Sequence, residues 1–164
     1  ETSMRSEWET DRAIEQYADT VRKICMLHLK NEADTEDIFQ TVFLKYAMYS
    51  GTFADSEHEK AWLIRVTINA CKDFLKSFFR RNTVPIEEIQ ESLVSPLPQE
   101  QSEVLEAVLS LPAKYKDVIY LYFYEGYFAV EIGRLLKKNV NTIYTLLSRA
   151  KAILKEKLGG EEFA

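Results

Sequence analysis

Trp62, Arg65, Asn69, Lys72 and Lys76 recur at steps of three and four in "KAWLIRVTINACKDFLKSFFRR", so a helix over this stretch carries them on one face. Cations for phosphate, an indole for base stacking and an amide for a base edge suit a nucleic-acid strand. A solvated charged face with Trp62 folded into the core would show the same spacing, and the residues alone leave both readings open. A second set lies in "EGYFAVEIGRLLKKNVNTIYTLLSRAK", Glu125–Lys151. Here a short "KKN" turn separates two helical patterns. The second presents Asn141, Tyr144, Thr145, Ser148 and Lys151 outward, flanked by Thr142 and Arg149, with Asn139 as its N-cap. Short polar side chains at the start of such a helix can reach base edges in a major groove while cations hold phosphates. An antiparallel bundle with a solvated face would share this pattern as well.

A third stretch, "ADTEDIFQTVFLKY" (33–46), places three acids before an apolar run. Asp34 is the expected N-cap, with Glu36 and Asp37 in the first turn, where each carboxylate suits the helix dipole by about 0.3–1 kcal/mol. The acids are thereby explained, but the apolar set is not. Ile38, Val42, Tyr46 and Tyr49 form a stripe that Phe39 and Phe43 widen, and so wide a stripe needs contacts on more than one side.

Other chemistry lacks its residues. There is no G-x-x-x-x-G-K-[ST], G-x-G-x-x-G or H-E-x-x-H, and His28 and His58 stand in unrelated contexts. Cys25 and His28 have a C-x-x-H spacing, yet no second ligand pair closes a tetrahedral site. Cys25 and Cys71 read as buried thiols in a reducing cytoplasm. No catalytic residue, metal or cofactor is expected.

The elements that must position these faces follow from composition and period. With 164 residues, 46% hydrophobic and 29% charged, the chain reads as soluble and globular. Only 5 Gly and 4 Pro favour long helices over a fold of many tight turns. No apolar run reaches the roughly 18 residues of a membrane span, and the basic-then-apolar start of a signal peptide is missing. A net charge of −5 disfavours indiscriminate nucleic-acid binding but leaves room for local basic patches.

Trp8, Ile14, Tyr17, Val21, Ile24 and Met26/Leu27 predict a first helix over 7–30. The second is the acidic stretch, stopped at Ser50–Gly51, and the third runs from about Glu57 to Phe79 with Leu63, Val66, Ala70 and Phe74 toward the core. Glu1–Met4 reads as a frayed end. From Arg80 to Glu100 three of the four prolines break the pattern into a tether, with Ile86 and Ile89 able to form a docked turn. Four shorter helices follow, Gln101–Ser110, Ala113–Tyr124, Phe128–Leu136 and Val140–Leu158. Val130, Ile132 and Leu135/Leu136 give the third of these its inner side, and Ile143, Leu146/Leu147, Ala150 and Leu154 the fourth.

In this order, "DTEDIFQTVFLK", "AWLIRVTINACKDFLK" and "LSLPAKYKDVIYLYFYEGYFAVEIGRLLKKNVNTIYTLLSRAK" resemble the extracytoplasmic-function sigma factors of bacterial RNA polymerase, from about Ile14 to Leu158. The resemblance implies an all-α chain of two small helical domains on a flexible linker. Region 2, a three-helix-type bundle, spans 5–80; the linker spans 81–100; region 4, a helix-turn-helix domain, spans 101–160. It implies that the helix over 34–46 docks on the polymerase β′ coiled coil through Asp37, Gln40 and Thr41, with Phe43 supporting the packing. Region 4 would meet the β flap.

The helix over 61–76 would read and help melt the minus-ten element with Trp62, Arg65 and Asn69, its face continued by Lys72 and Lys76. The loop around Phe53 would help hold an extruded base. Lys137, Lys138, Asn139, Asn141, Thr142, Tyr144, Thr145, Ser148, Arg149 and Lys151 would meet the minus-thirty-five element. Implied partners are core RNA polymerase, promoter DNA and, in many relatives, an anti-sigma factor. The chain would be cytoplasmic, monomeric when free, non-enzymatic and not inserted in a membrane. A stand-alone helix-turn-helix regulator is the alternative, and would predict dimerisation and tight duplex binding.

Two departures bear on these expectations. Gln40-Thr41 replaces the frequent Gln-Glu, leaving one fewer carboxylate for a basic coiled coil. Thr142-Ile143-Tyr144-Thr145-Leu146 stands where T-V-K-S-R is frequent, losing both cations, while Lys137 and Lys138 replace a small apolar turn. Region 4 then either reads an unusual sequence or binds duplex weakly and relies on the polymerase.

Overall fold

Three α-helices build the first half of the chain and four the second, in a computed structural model that describes residues 4–82 and 103–159. The helices are α1 (Glu7–Leu29), α2 (Glu32–Met48), α3 (Ser56–Asn82), α4 (Glu103–Leu109), α5 (Ala113–Ile119), α6 (Ala129–Leu136) and α7 (Val140–Leu158). The chain is all-α, with no strand among the described residues. It divides into two compact units, one within residues 1–96 and the other within 97–164. The expected linker and the docked turn at Ile86 and Ile89 lie outside the described residues, except that α3 runs on through Asn82.

In the first unit α1, α2 and α3 all pack on one another. Ala13, Tyr17, Val21, Cys25 and Leu29 fall every fourth residue along α1 and are all buried against Ile38, Phe39, Val42, Phe43 and Tyr46 of α2. The wide stripe of α2 is thus explained from within, because α1 and α3 flank it together. Trp8, expected on the α1 stripe, is exposed, since the contact stripe begins one turn later at Ala13. Tyr49 likewise lies beyond α2 and is only partly covered.

The cap of α2 differs from expectation. Asn31, not Asp34, is the N-cap: its Oδ1 accepts from the Asp34 N–H at 2.9 Å, and the helix starts at Glu32. An Asn three residues upstream caps as well as an Asp does, so the earlier site is taken and the helix gains a turn. Asp34 returns the contact, accepting from Asn31 Nδ2 at 2.8 Å.

In the second unit α7 packs against α4, α5 and α6. Its inner stripe, Ile143, Leu146, Leu147, Ala150 and Leu154, is buried as the period predicts. After Ile119 the α-helix expected to reach Tyr124 widens into a π-helical turn, Tyr120–Tyr124, closed by the Glu125 N–H on Tyr120 O at 3.1 Å. Gly126 then reverses the chain at φ +76°, a conformation that favours glycine.

The buried side of α6 is Ala129, Ile132, Gly133 and Leu135. Val130, expected there, is 46% exposed, because the stripe runs 129, 132, 133 and position 130 is turned away from it. The α6–α7 turn is built at close quarters. Lys137 takes the left-handed conformation at φ 57°, the Lys138 N–H donates to Gly133 O at 2.8 Å, and Asn139 accepts from the Asn141 N–H at 2.8 Å.

A Cβ on Gly133 would stand 2.7 Å from the Lys138 carbonyl oxygen, which is backbone and cannot swing aside. Gly133→Ala should therefore destabilise the second unit by about 1–3 kcal/mol, outweighing alanine's better helix propensity. Thermal unfolding of the full chain checks this, and an unchanged or raised Tm would show that the turn yields without cost.

Candidate functional site

Three exposed faces carry the chemistry-bearing residues, and each is aimed by a buried contact. The start of α3 is fixed first. Asp55 Oδ1 accepts from the His58 N–H at 2.8 Å, and Glu59, in the first turn, is buried. Its carboxylate accepts from Tyr46 Oη at 2.7 Å and from Arg12 Nη2 at 3.2 Å, so α1, α2 and α3 meet at one anion. Tyr17 Oη donates to the Ser56 carbonyl at 3.2 Å beside it.

From that anchor α3 buries Leu63, Ile64, Thr67, Ile68, Ala70 and Cys71 and turns its other side to solvent. Asn69 and Lys76 are exposed, and Arg65 and Lys72 are half-buried at the rim. Arg65 and Asn69 therefore stand outside the hydrophobic interior. Trp62 is tied more closely: its ring lies 4.8 Å from Tyr49, 5.8 Å from Phe53 and 6.1 Å from Tyr46. Phe53 is in turn 5.3 Å from His58 and 5.6 Å from Tyr49. The α2–α3 loop thus ends on the same face as Arg65 and Asn69, in an aromatic cluster that Trp62 completes.

On α2 the acids separate into distinct roles. Asp34 is held by Asn31, and Glu36 pairs with Arg22 at 3.2 Å while that guanidinium covers the Phe39 ring at 4.2 Å. Asp37 is left facing outward with Gln40 and Thr41, although the Thr41 hydroxyl donates to Asp37 O at 3.0 Å. Phe43, expected to support the packing behind this set, is only 4% exposed and packs 4.9 Å from Phe39. Leu44 and Met48 lie outward on the same side of α2, 56% and 54% exposed. The series 37, 40, 41, 44, 48 is one helical stripe, and its signal in the sequence was the same i, i+4 spacing that marked the polar residues.

On α7, Asn141, Thr142, Tyr144, Thr145, Ser148 and Arg149 are all exposed. Asn139 is occupied as the cap, and the Thr145 hydroxyl donates to Asn141 O at 3.0 Å. Lys151 lies 5.5 Å from both the Tyr122 and the Phe123 rings, so this cation rests on the π-helical turn. Lys137 and Lys138 are exposed in the preceding turn. The outer face is neutral at its start, with cations at either end. Among the described residues no group of three or more His, Cys, Asp or Glu could hold a metal, and Cys25 and Cys71 are free and buried. No helix among them is long and apolar enough to cross a membrane.

Residues 13–81 match the family Sigma-70 region 2, and residues 97–154 match Sigma-70, region 4. These define a two-domain sigma-70 protein carrying a helix-turn-helix. The chain belongs to the extracytoplasmic-function (ECF) RNA polymerase sigma factors. It is 27% identical over 143 residues to the RNA polymerase sigma factor SigV of Bacillus subtilis, covering 87% of this chain and 86% of that protein. It is 28% identical over 148 residues to the ECF RNA polymerase sigma factor BldN of Streptomyces coelicolor, covering 85% of this chain and 56% of that one. In fold it is similar to the sigma factor RpoE from Bartonella quintana, solved with the anti-sigma factor NepR, at a TM-score of 0.69 and 17% identity over 94% of this chain and 99% of that one. CnrH, solved with the cytosolic domain of CnrY, gives a TM-score of 0.65 at 18% identity, over 96% of this chain and 92% of that one.

The anchor of α3 has a pH signature. Burial, then the hydrogen bond and charge of Glu59, push Tyr46 up to about 12; burial, then the Glu59 charge, push Tyr17 up to about 12. The fold holds both phenols protonated where the unfolded chain, titrating near 10, releases them. Their contribution is therefore complete below pH 10 and is lost as pH rises toward 12. Melting curves across this window should show Tm falling, with a shallower fall for Tyr17→Phe. Equal slopes in the two proteins would refute the assignment.

Proposed function

We propose that the chain is a dissociable promoter-specificity subunit that reads its promoter through two DNA-facing surfaces and docks on core RNA polymerase through a third. The observation that carries this reading is the α3 face itself: Asn69 is exposed and Arg65 stands half-buried at the rim, on the side of α3 that bears the Phe53–Trp62 cluster, within the residues matched to region 2. In this reading residues 5–80 dock and recognise the minus-ten element, 81–100 tether, and 101–160 recognise the minus-thirty-five element.

The α2 stripe of Asp37, Gln40, Thr41, Leu44 and Met48 meets the β′ coiled coil, its acid and amide at one end and its apolar pair at the other, with Phe43 behind. Phe53, Trp62, Arg65, Asn69, Lys72 and Lys76 take the melted minus-ten strand. Extruding a base costs a few kcal/mol, which stacking on the aromatic cluster and a hydrogen bond from Asn69 offset. In the second unit Asn141, Thr142, Tyr144, Thr145 and Ser148 face base edges, with Asn139 fixing the helix start that presents them, while Lys137, Lys138 and Arg149 hold phosphate and Lys151 reaches it from its seat on Tyr122 and Phe123. That unit also meets the β flap.

A sequence-specific factor of net charge −5 binds stray DNA poorly and gains promoter affinity once the polymerase joins its two sites at high effective concentration. Such a factor works in the cytoplasm, free as a monomer, without cofactor or catalysis of its own. An anti-sigma protein that covers Leu44 and Met48 would hold it inactive, in line with the complexes in which its structural neighbours were solved. A stand-alone helix-turn-helix regulator is not favoured, because it gives the residues matched to region 2 no task.

Adding the chain to core polymerase on genomic fragments and mapping transcript starts tests the reading; promoter-dependent starts are expected, and their absence would sink it. Asn69→Ala should lower open-complex formation about tenfold while polymerase affinity stays within about twofold. Equal loss of both would place Asn69 among residues that only support the fold.

A further inference from the structure

Arg5 lies upstream of α1 and outside the residues matched to region 2, yet it is the side chain that ties down the α2–α3 loop. Its backbone N–H donates to Ala47 O at 2.7 Å, at the end of α2. Its guanidinium donates from Nη2 to the Gly51 carbonyl and from Nη1 to Glu9 Oε2 at 3.2 Å. The same group lies 4.8 Å from the Tyr46 ring, 4.9 Å from Phe53 and 5.8 Å from Tyr49. The side chain is 13% exposed, and its Nε is buried without a hydrogen-bond partner among the described residues. Stacking on the rings is thus kept at the expense of one donor.

The rings of Tyr46, Tyr49 and Trp62 hold the Phe53 side chain of the loop, and Arg5 adds a tie to its backbone at Gly51. Beside the loop is an open groove of about 310 Å³, lined by Arg5, Glu9, Arg12, Thr52, Phe53 and Ser56 among others. The Tyr49 ring folds closely over Gly51, whose carbonyl accepts from Arg5. A lysine cannot copy this clamp. Only a planar fork can reach two acceptors while lying against aromatic faces.

We propose that Arg5 is a positioning residue for strand capture: by fixing Gly51 and Phe53 it sets the loop edge of the Phe53–Trp62 cluster against which the melted strand is held. This rests on the function proposed above. Arg5 acts through the loop and touches no DNA itself.

The test uses the full chain with core polymerase on a duplex promoter and on the same promoter opened in advance by mismatches across the minus-ten element. Arg5→Ala should lower the rate of open-complex formation about tenfold on the duplex and no more than about twofold on the opened template, with polymerase affinity within about twofold of wild type. Arg5→Lys keeps the charge and the stem, and serves where alanine fails to fold; it should show the same split at about threefold. Equal losses on both templates together with weakened polymerase binding would reduce Arg5 to fold support and overturn the proposal, as would wild-type rates on both. A wild-type chain that initiates nowhere would instead sink the sigma-factor reading, so the two failures are distinguishable.

Discussion

The first unit turns on one buried anion. Glu59 sits in the first turn of α3 with its carboxylate out of water, which is costly unless its lone pairs are filled. They are filled from the two other helices, by Tyr46 of α2 and Arg12 of α1, and the helix dipole of α3 adds to the same side of the balance. A hydrophobic contact here would have let α3 rotate or slide by a residue with little loss. Hydrogen bonds to a single carboxylate do not. A rotation of α3 by 100°, one residue's worth, would carry Asn69 toward the core and leave the anion unpaired. The proposed nucleic-acid face is thereby indexed to a contact two to three turns away from it.

The second unit solves its problem differently. Backbone contact shapes the turn between α6 and α7: Gly133 admits the Lys138 carbonyl, and Lys137 turns left-handed to bring Asn139 into cap position. This geometry explains why lysines can stand where a small apolar turn is frequent. Both side chains leave the turn outward, so the substitution adds charge without disturbing packing. The cations absent from the first turns of α7 are supplied from the turn before it and from Arg149. Lys151, by contrast, is drawn onto Tyr122 and Phe123, so the aromatic turn and the middle of α7 are coupled.

Period and composition made the helices legible, and the inner stripe of α7 was read to the residue because its apolar positions are unbroken. Errors came where two residues compete for one task. Asn31 and Asp34 are both good caps, and nothing local says which is used; Val130 and Ala129 are both apolar, and only the approach of α7 selects between them. On a helix flanked by two others, the apolar period does not say which apolar residues stay outside: Phe43 is buried, while Leu44 and Met48 are exposed. Charge patterns were clearer than apolar ones for this reason: the α3 face held Arg65, Asn69 and Lys76 because no core could accept them.

What no periodicity could reveal is how the faces are braced. Glu59, Arg12 and Arg5 look like ordinary surface charges in helical or terminal sequence, and each is instead part of a long-range contact, 47 residues apart for Arg12–Glu59 and 46 for Arg5–Gly51. These links join the start of α1 to the loop and helix that carry the proposed nucleic-acid face. They are polar where a structural core would be apolar, and that difference has a physical consequence. An apolar brace tolerates small displacements, whereas a guanidinium or carboxylate in a poorly hydrated site loses most of its compensation within a fraction of an ångström. The proposed nucleic-acid face rests on a support of the second kind, through Glu59, Arg12 and Tyr46 at the start of α3.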